Sequence, residues 1–346
     1  METAKGVISK ILDAQTPEVD VMSGATFSLN RNQGCSRRCI TKRQEINVNI
    51  LEKYLTDRFT IKQVKKIHIW LRTGIQLFFF LLFPSAYTAA FAGIKYIFTQ
   101  IGAGEMVSVS SFVTVLIVLC GYTIIFGRFF CGFACAFGTL GDAVHAGYVW
   151  CCKKLKKKPV ALSQMISTRL SVCKYLILLM IVLMCYAGIY SKAQGTSPWD
   201  VFSMIHAGNL KLANYIPGLI ILLLILVGMC VQERFFCRFL CPMGAIFSLL
   251  PVLPIFSLRR DRSSCIPKCS GCTRKCPSDI QLPDNGSWEI SADCFQCQKC
   301  MDVCPKSNVH CAVNDHFRKI TLRGNEIIFT VLRALLLLGI FILLGI

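Results

Sequence analysis

The sequence predicts a mainly α, polytopic membrane protein with about five transmembrane helices, two cysteine-bearing half-helices and a small module inserted near the C-terminus. Three observations carry this prediction. Hydrophobic residues make up 54% of the 346 residues and charged residues only 16%, which is not the composition of a soluble protein. Five apolar stretches alternate with basic segments, and many of the 21 cysteines fall in regularly spaced motifs.

The apolar stretches are long enough to cross a bilayer, which requires about 20 apolar residues in a helix. They cover residues 69–91, 109–127, 171–190, 215–231 and 326–346. Pro84 lies inside the first stretch, where it removes a backbone donor, so we expect that helix to kink or end there.

The net charge of +19 is spread unevenly along the chain, and this distribution predicts how the chain is oriented in the membrane. Residues 31–72 carry eleven basic and three acidic residues, and residues 150–175 carry seven basic residues and no acidic residue. Lys and Arg beside apolar spans favour the cytoplasmic side and attract anionic lipid. We therefore expect the lipid bilayer, and not nucleic acid, as the partner of this charge. The N-terminus and the module are predicted to lie in the cytoplasm, with the last helix crossing outward through the cell membrane.

Two cysteine runs define the inserted module. They read Cys265-x3-Cys269-x2-Cys272-x3-Cys276-Pro277 and Cys294-x2-Cys297-x2-Cys300-x3-Cys304-Pro305. The second run has the spacing of bacterial two-cluster ferredoxins, in which the fourth cysteine of each run ligates the other cluster. The sequence thus predicts two [4Fe–4S] clusters. One is held by Cys265, Cys269, Cys272 and Cys304, and the other by Cys294, Cys297, Cys300 and Cys276. Zinc and disulfides are the alternatives, and they fit two quartets ending in Cys-Pro less well.

A second motif occurs twice in the membrane part. Arg-Phe-Phe-Cys-x-Phe-x-Cys stands at residues 128–135 and again at residues 234–241, with the same x-x-Gly after it. Cysteines four apart share one face of a helix, so two pairs offer four thiolates. We expect a third iron–sulfur cluster at the cytoplasmic membrane edge, held by Cys131, Cys135, Cys237 and Cys241. Pro242 is expected to end its helix and free backbone donors for sulfur. Buried apolar cysteines and a disulfide or dithiol switch are the alternatives.

Ionisable residues accompany the repeat. Arg128 and Arg234 precede the cysteine pairs, and their charge is expected to lower the thiol pKa and offset the charge of a cluster. Asp142 and Glu233 lie close by in the sequence. Either could relay a proton, but a salt bridge from Glu233 to an arginine is the favoured interpretation.

In combination, these motifs over residues 67–346 resemble the NapH/NosR-type membrane polyferredoxins. The resemblance implies an electron-transfer subunit that passes single electrons between cytoplasmic donors or the quinone pool and a partner reductase. Ala136 stands where the family has proline after its first motif. The alternatives are a stand-alone copper reductase of the CcoG type, which shares these elements, and a redox-sensing regulatory membrane protein.

The N-terminal segment carries a further resemblance. Residues 23–28, Ser-Gly-Ala-Thr-Phe-Ser, resemble the flavinylation motif of FMN-binding domains, which implies Thr26 as the acceptor of covalent FMN. About 30 residues cannot bury a flavin-domain core, so we interpret the segment as a remnant or as part of a domain completed by another chain. The predicted organisation is a flavin-domain remnant (1–30), a basic juxtamembrane segment (31–66), a membrane domain (67–257), the ferredoxin module (258–320) and a C-terminal transmembrane helix (325–346).

Overall fold

The computed structural model describes most of the chain from residue 61 onwards. The described residues are 61–160, 162–190, 195–209, 215–253, 256–263, 265–283, 285–288, 291–313 and 325–345. The chain divides into two units, residues 1–63 and 64–346, and nearly all described residues belong to the second. Thr26, the predicted flavin-domain remnant (1–30) and most of the juxtamembrane segment (31–66) lie outside the described residues.

Helices dominate the described part, which confirms the mainly α prediction. The helices before the module are α1 (Ile61–Leu82), α2 (Ala86–Ala103), α3 (Ser111–Phe126), α4 (Ala136–Lys154), α5 (Gln164–Leu170), α6 (Cys173–Tyr186), α7 (Pro198–His206), α8 (Ile216–Val231) and α9 (Pro242–Leu249). Two short π-helical turns interrupt this series, at Phe130–Ala134 and Phe236–Leu240. The module contributes the short helices α10 (Gly271–Arg274) and α11 (Lys299–Val303), and α12 (Asn325–Leu344) follows it.

Two of the described helical stretches are long and apolar enough to cross a membrane, Gln164–Tyr186 and Ile327–Leu344. The pair α1 and α2 makes a third span if it is counted as one broken helix. Helices α3 and α8 are apolar but have only 16 residues each. Since a helix rises 1.5 Å per residue, 16 residues reach about 24 Å, short of a hydrocarbon core of about 30 Å. The predicted number of five spans therefore stays a prediction.

The predicted break at Pro84 is confirmed. Helix α1 ends at Leu82, α2 begins at Ala86, and the two helices are bent by 59° at this break. Proline lacks the N–H that would continue the helix, and its ring disfavours the α conformation of the residue before it. Helix α2 packs along α3, the next helix in the chain.

The core beside the repeated motifs is aromatic. Phe129 and Phe133 stack with ring centroids 4.3 Å apart, and Phe137 lies 4.7 Å from Phe236 of the second motif. All four side chains are buried. Phe137, which follows the first motif, thus packs against Phe236 of the second, and residues of both π-helical turns lie in one hydrophobic core.

A small antiparallel sheet frames the module. Its strands are β1 (Phe256–Asp261), β2 (Asn285–Trp288) and β3 (Val309–Val313), in the order β2-β1-β3. The register pairs Arg260 with Val309 and Arg259 with Trp288. One strand precedes the first cysteine run, one lies between the runs and one follows the second run. The sheet thus brings the ends of both runs together.

Candidate metal centres

The two Arg-Phe-Phe-Cys motifs fold in the same way. In each copy the first cysteine lies in the π-helical turn and the second stands in extended backbone, with φ −72° and ψ 123° at Cys135 and φ −73° and ψ 114° at Cys241. The N–H of Cys135 donates to the carbonyl of Phe130 at 2.9 Å, and the N–H of Cys241 donates to the carbonyl of Phe236 at 2.9 Å. The sequence repeat is therefore a structural repeat.

This geometry corrects two expectations. Each cysteine pair was expected to lie on one face of an α-helix. Instead, an i to i+5 hydrogen bond widens the turn between the two cysteines. The second cysteine of each pair is the N-cap of the next helix. Pro242 was expected to end a helix, but it is the first residue of α9. Proline suits that position because its N–H would be unbonded there in any case. Ala136 begins α4 with the same geometry, so the missing proline does not alter the first motif.

The glycine shared by both repeats allows a close approach. A Cβ at Gly138 would lie 2.6 Å from the carbonyl oxygen of Cys131, and a Cβ at Gly244 would lie 2.9 Å from that of Cys237. The Gly244 N–H donates to Cys241 Sγ at 3.2 Å, and the backbone of Gly138 bonds Cys135 in the same manner. The expectation that backbone donors reach the sulfurs is confirmed at these two cysteines.

The structure brings all four membrane-edge cysteines together. Cys131, Cys135, Cys237 and Cys241 are each at most 5% exposed. Burial, and then the nearby Cys135 and Cys241, raise the pKa of Cys237, and the charge of Arg234 offsets this only in part. The expected lowering of the thiol pKa by the arginines is therefore wrong for Cys237, because burial outweighs the charge. The Tyr87 hydroxyl lies 3.8 Å from Cys241 Sγ. Sequence reasoning missed Tyr87, because a tyrosine 154 residues away on an apolar stretch gives no signal of this contact.

Two buried arginines flank this position. Arg234 donates to the carbonyls of Cys131 and Gly132 at 2.7 and 2.8 Å, so the arginine of the second motif holds the backbone of the first. Arg128 is 1% exposed, and its Nε and Nη2 have no hydrogen-bond partner among the described residues. Unpartnered guanidinium donors beside four thiols fit an anionic cluster whose sulfides accept hydrogen bonds.

A buried ionic network lies between the repeats and the module. Asp142 accepts from Arg234 at 2.7 Å and from Lys299 at 2.9 Å. Burial alone would raise the pKa of Asp142, but the charges of Arg234 and Lys299 outweigh it and hold that pKa well below its usual range. Glu233 pairs with Lys299 and, at 3.9 Å, with Lys275. The favoured salt bridge of Glu233 thus exists, but its partners are lysines and not an arginine.

The second cysteine run wraps tightly. Gln296 and Gln298 adopt positive φ angles of 52° and 60°, which turn the chain between the cysteines. Burial, and then the charge of Cys297, raise the pKa of Cys276 to about 11. Burial, and then the charges of Cys297, Cys294, Cys276 and Cys272, raise the pKa of Cys300. Cys276 thus lies near cysteines of the other run, and the division of the eight cysteines between two clusters stays a prediction.

The first run has its own donors to sulfur. Asn308 donates to Cys304 from its backbone N–H at 3.2 Å and approaches Cys265 with its side-chain amide at 3.9 Å. Arg260 Nη1 donates to Cys272 Sγ at 3.3 Å. Cys304 thus lies near Cys265 across the module. Asn308 and Arg260 were not predicted, and only their nearness to the runs in sequence could have indicated them.

Within the described residues, no group of three or more His, Cys, Asp or Glu side chains is spaced to hold a single metal ion. A single zinc ion draws its sulfurs to about 2.3 Å from one centre. In a cubane each thiolate binds a different iron, so the four sulfurs stand farther apart. The donor set, which consists of thiols with amide and guanidinium donors around them, fits iron–sulfur clusters.

Comparisons with known proteins agree with this chemistry. A family model described as a 4Fe-4S binding domain matches residues 109–158 and 216–258, which are the two halves of the membrane repeat. An uncharacterized protein of Methanocaldococcus jannaschii is 28% identical over 250 residues, 72% of this chain and 88% of its own. NirI of Paracoccus denitrificans is 31% identical over 147 residues, 42% of this chain and 21% of NirI.

The ferredoxin-type protein NapH of Haemophilus influenzae is 26% identical over 198 residues, 54% of this chain and 63% of NapH. No solved structure matches. Two segments of the chain thus match a 4Fe-4S binding domain, and the chain is similar to a protein described as ferredoxin-type. The predicted resemblance to the NapH/NosR type is confirmed.

Proposed function

We propose that this protein is a membrane-bound electron-transfer subunit that passes single electrons between cytoplasmic donors or the quinone pool and a partner reductase. The observation that carries the proposal is the contact of the module with both membrane motifs. A Cβ at Gly132 would lie 2.4 Å from the Phe295 carbonyl and 3.5 Å from the Cys297 backbone. Arg238 of the second motif donates to the Pro277 carbonyl at 2.9 Å. Clusters in the module and at the membrane edge would thus be neighbours.

The proposal assigns twelve cysteines to three clusters. Cys265, Cys269, Cys272 and Cys304 hold the first, Cys294, Cys297, Cys300 and Cys276 the second, and Cys131, Cys135, Cys237 and Cys241 the third. A [4Fe–4S] cluster supplies a site that gains or loses one electron at a time. The protein buries each site, directs amide, hydroxyl and guanidinium donors to the thiolates, and places cations near them. These are the means by which a protein sets a reduction potential.

A cavity supports the access of quinone to the membrane-edge site. It has a volume of about 240 Å³ and is lined mainly by apolar side chains of α6, α8 and the second π-helical turn. Phe236 and Leu240, the neighbours of Cys237 and Cys241, form one wall, and Ser197 and Trp199 add polar groups. An apolar cavity with a few polar groups, opening between apolar helices, suits the headgroup of a lipid-soluble carrier.

The proposed setting is the cell membrane with five spans, the module and N-terminus inside and the last helix crossing outward. The basic segments support this orientation. The proposal also includes covalent FMN on Thr26, which is supported only by the resemblance of residues 23–28 to a flavinylation motif.

Anaerobic purification tests the proposal. Iron and sulfide analysis with EPR should give about twelve irons per chain for three four-iron clusters, against about eight for the module alone. Cys135→Ser and Cys241→Ser should remove the additional iron, whereas the control Cys120→Ser, in α3 and outside all three sites, should keep it. Iron-free or zinc-filled protein would refute the function. Bound flavin that disappears in Thr26→Val would establish the N-terminal site.

A further inference from the structure

The two cysteine runs of the module differ in their surroundings. Cys294, Cys297 and Cys300 are buried, each at most 9% exposed, and their loop lies against the first membrane motif. Cys265, Cys269 and Cys272 of the first run are only half-buried. The second run therefore faces the first membrane motif, and the first three cysteines of the first run lie nearer to solvent.

The surface around the first run is basic. Five cations of the described module and its preceding strand are exposed to solvent, and they flank the half-buried thiols: Arg262, Lys268, Arg274, Lys275 and Lys306. Among the module residues that the structure describes, none of the fully exposed ones is acidic. Asp302 is buried against Arg72, and the half-exposed Asp293 is neutralised by Lys174 at 2.6 Å.

Apolar side chains interrupt this basic surface. Ile266 is 44% exposed and Val303 is 41% exposed, beside Pro267 and Pro305. A Cβ at Gly271 would lie 3.4 Å from Val303, so the two runs meet here. A surface that exposes both aliphatic groups and like charges is typical of a transient protein–protein interface, where charge steers the partner and apolar contact holds it.

We infer that this surface, which we call the basic docking face (Arg262, Ile266, Lys268, Arg274, Val303 and Lys306), binds an acidic soluble protein that carries one electron at a time. The inference rests on the proposed function, because the first run must hold a cluster. One electron leaves the carrier and enters the protein at the first run, and no bond forms or breaks. From a cluster on the first run the electron would pass to one on the second run and then to one at the membrane edge, in the order in which these sites contact each other.

The test uses the full chain in nanodiscs of zwitterionic lipid, with an acidic flavodoxin as the probe, fully reduced and freed of reductant. Stopped-flow absorbance gives the second-order rate at low salt. Lys268→Glu combined with Arg274→Glu should lower this rate at least about tenfold, because steering by complementary charge changes association rates by such factors. The matched control Lys153→Glu with Lys157→Glu changes two exposed cations, one in the last turn of α4 and one just after it, and should leave the rate nearly unchanged. Raising the salt concentration should slow the wild type.

Methyl viologen radical, a small cation, provides the second arm. Its rate with the docking-face variant should not fall, since it needs no acidic partner surface. If the docking-face variant keeps its EPR signals and reacts with flavodoxin at the wild-type rate, the docking face is refuted and the proposed function still stands. An equal loss in both charge-reversal variants, or a wild-type rate that is independent of salt, would also overturn it. Inhibition only when anionic lipid replaces the zwitterionic lipid would assign the cations to lipid. If the purified protein shows no cluster signals, both the proposed function and the docking face are refuted.

Discussion

Asp142 is a carboxylate on which two buried cations converge. It accepts from two cations, Arg234 and Lys299, and Arg234 in turn holds the carbonyls of Cys131 and Gly132. A buried charge without a counter-charge is costly, so the carboxylate is needed as long as both cations stay buried. Asp142 thus connects the position of the first motif to the position of Lys299, which precedes Cys300 in the second run.

Replacing Asp142 by Asn should destabilise the protein by about 3–5 kcal/mol, because one partner of a buried ionic group is removed while its cations remain. Thermal unfolding followed by tryptophan fluorescence measures this loss. Glu105→Gln, at an exposed carboxylate, is the control and should change stability by less than about 0.5 kcal/mol. An Asp142→Asn protein as stable as the wild type would show that the network adds no stability.

The stability that ionised Asp142 contributes depends on pH, and the direction of its pKa shift determines how. The cations hold the folded-state pKa of Asp142 below the unfolded value of about 3.9. Its contribution is therefore complete above the unfolded value and is lost as pH falls through the folded value. Between pH 8 and pH 5 the stability difference between the wild type and Asp142→Asn should stay constant.

Functional residues could be predicted from the sequence where they belong to a motif that occurs twice in the chain. The cysteine runs, the doubled motif and its arginines are all visible in sequence. The partners of these residues were not, because Asp142, Arg234 and Lys299 are far apart in the chain and meet only in the fold. The choice of lysine over arginine as the partner of Glu233 depends on the same packing.

At the scale of elements, long apolar stretches predicted the membrane helices, and Pro84 predicted the break between α1 and α2. The π-helical turns escaped prediction, because an i to i+5 bond has no hydrophobic pattern of its own and depends on the fold around it. Their glycines were visible in the repeat, but only the structure shows that Gly138 and Gly244 admit the cysteine carbonyls. Such turns recur at functional sites in other proteins.

Gly132 tests whether the contact between the first motif and the module matters. In Gly132→Ala the Cβ would lie 2.4 Å from the Phe295 carbonyl, so the loop of the second run must move away. We expect weaker magnetic coupling between the membrane-edge and second-run clusters in EPR, and slower electron transfer between them. Gly147→Ala is the control in α4, where the new methyl group meets nothing within 4 Å. Equal spectra for the two variants would show that the contact does not position the clusters.

At the scale of the whole molecule, the number of membrane spans is open. The described residues support two or three spans, and the sequence predicts five. Helices α3 and α8 decide the difference. Each has 16 residues and is followed, after a short link (127–129 or 232–235), by a π-helical turn that carries a cysteine. The buried cysteines extend the apolar path beyond each helix end, so a helix and its turn together could complete a crossing. A short span that ends at a cluster would place the membrane-edge site at the bilayer surface.

Epitope insertion tests this topology. A tag after Glu105, between α2 and α3, should be accessible only from outside the cell, because two crossings of a five-span protein meet there. A tag after Lys157, within the lysine-rich segment that follows α4, should be protected in intact cells and exposed in inverted vesicles, since basic loops stay inside. If both tags lie on the same side of the membrane, α3 does not cross. The cysteine repeats would then lie at a surface re-entrant loop, and the module would have to receive its electrons from the side on which both tags are found.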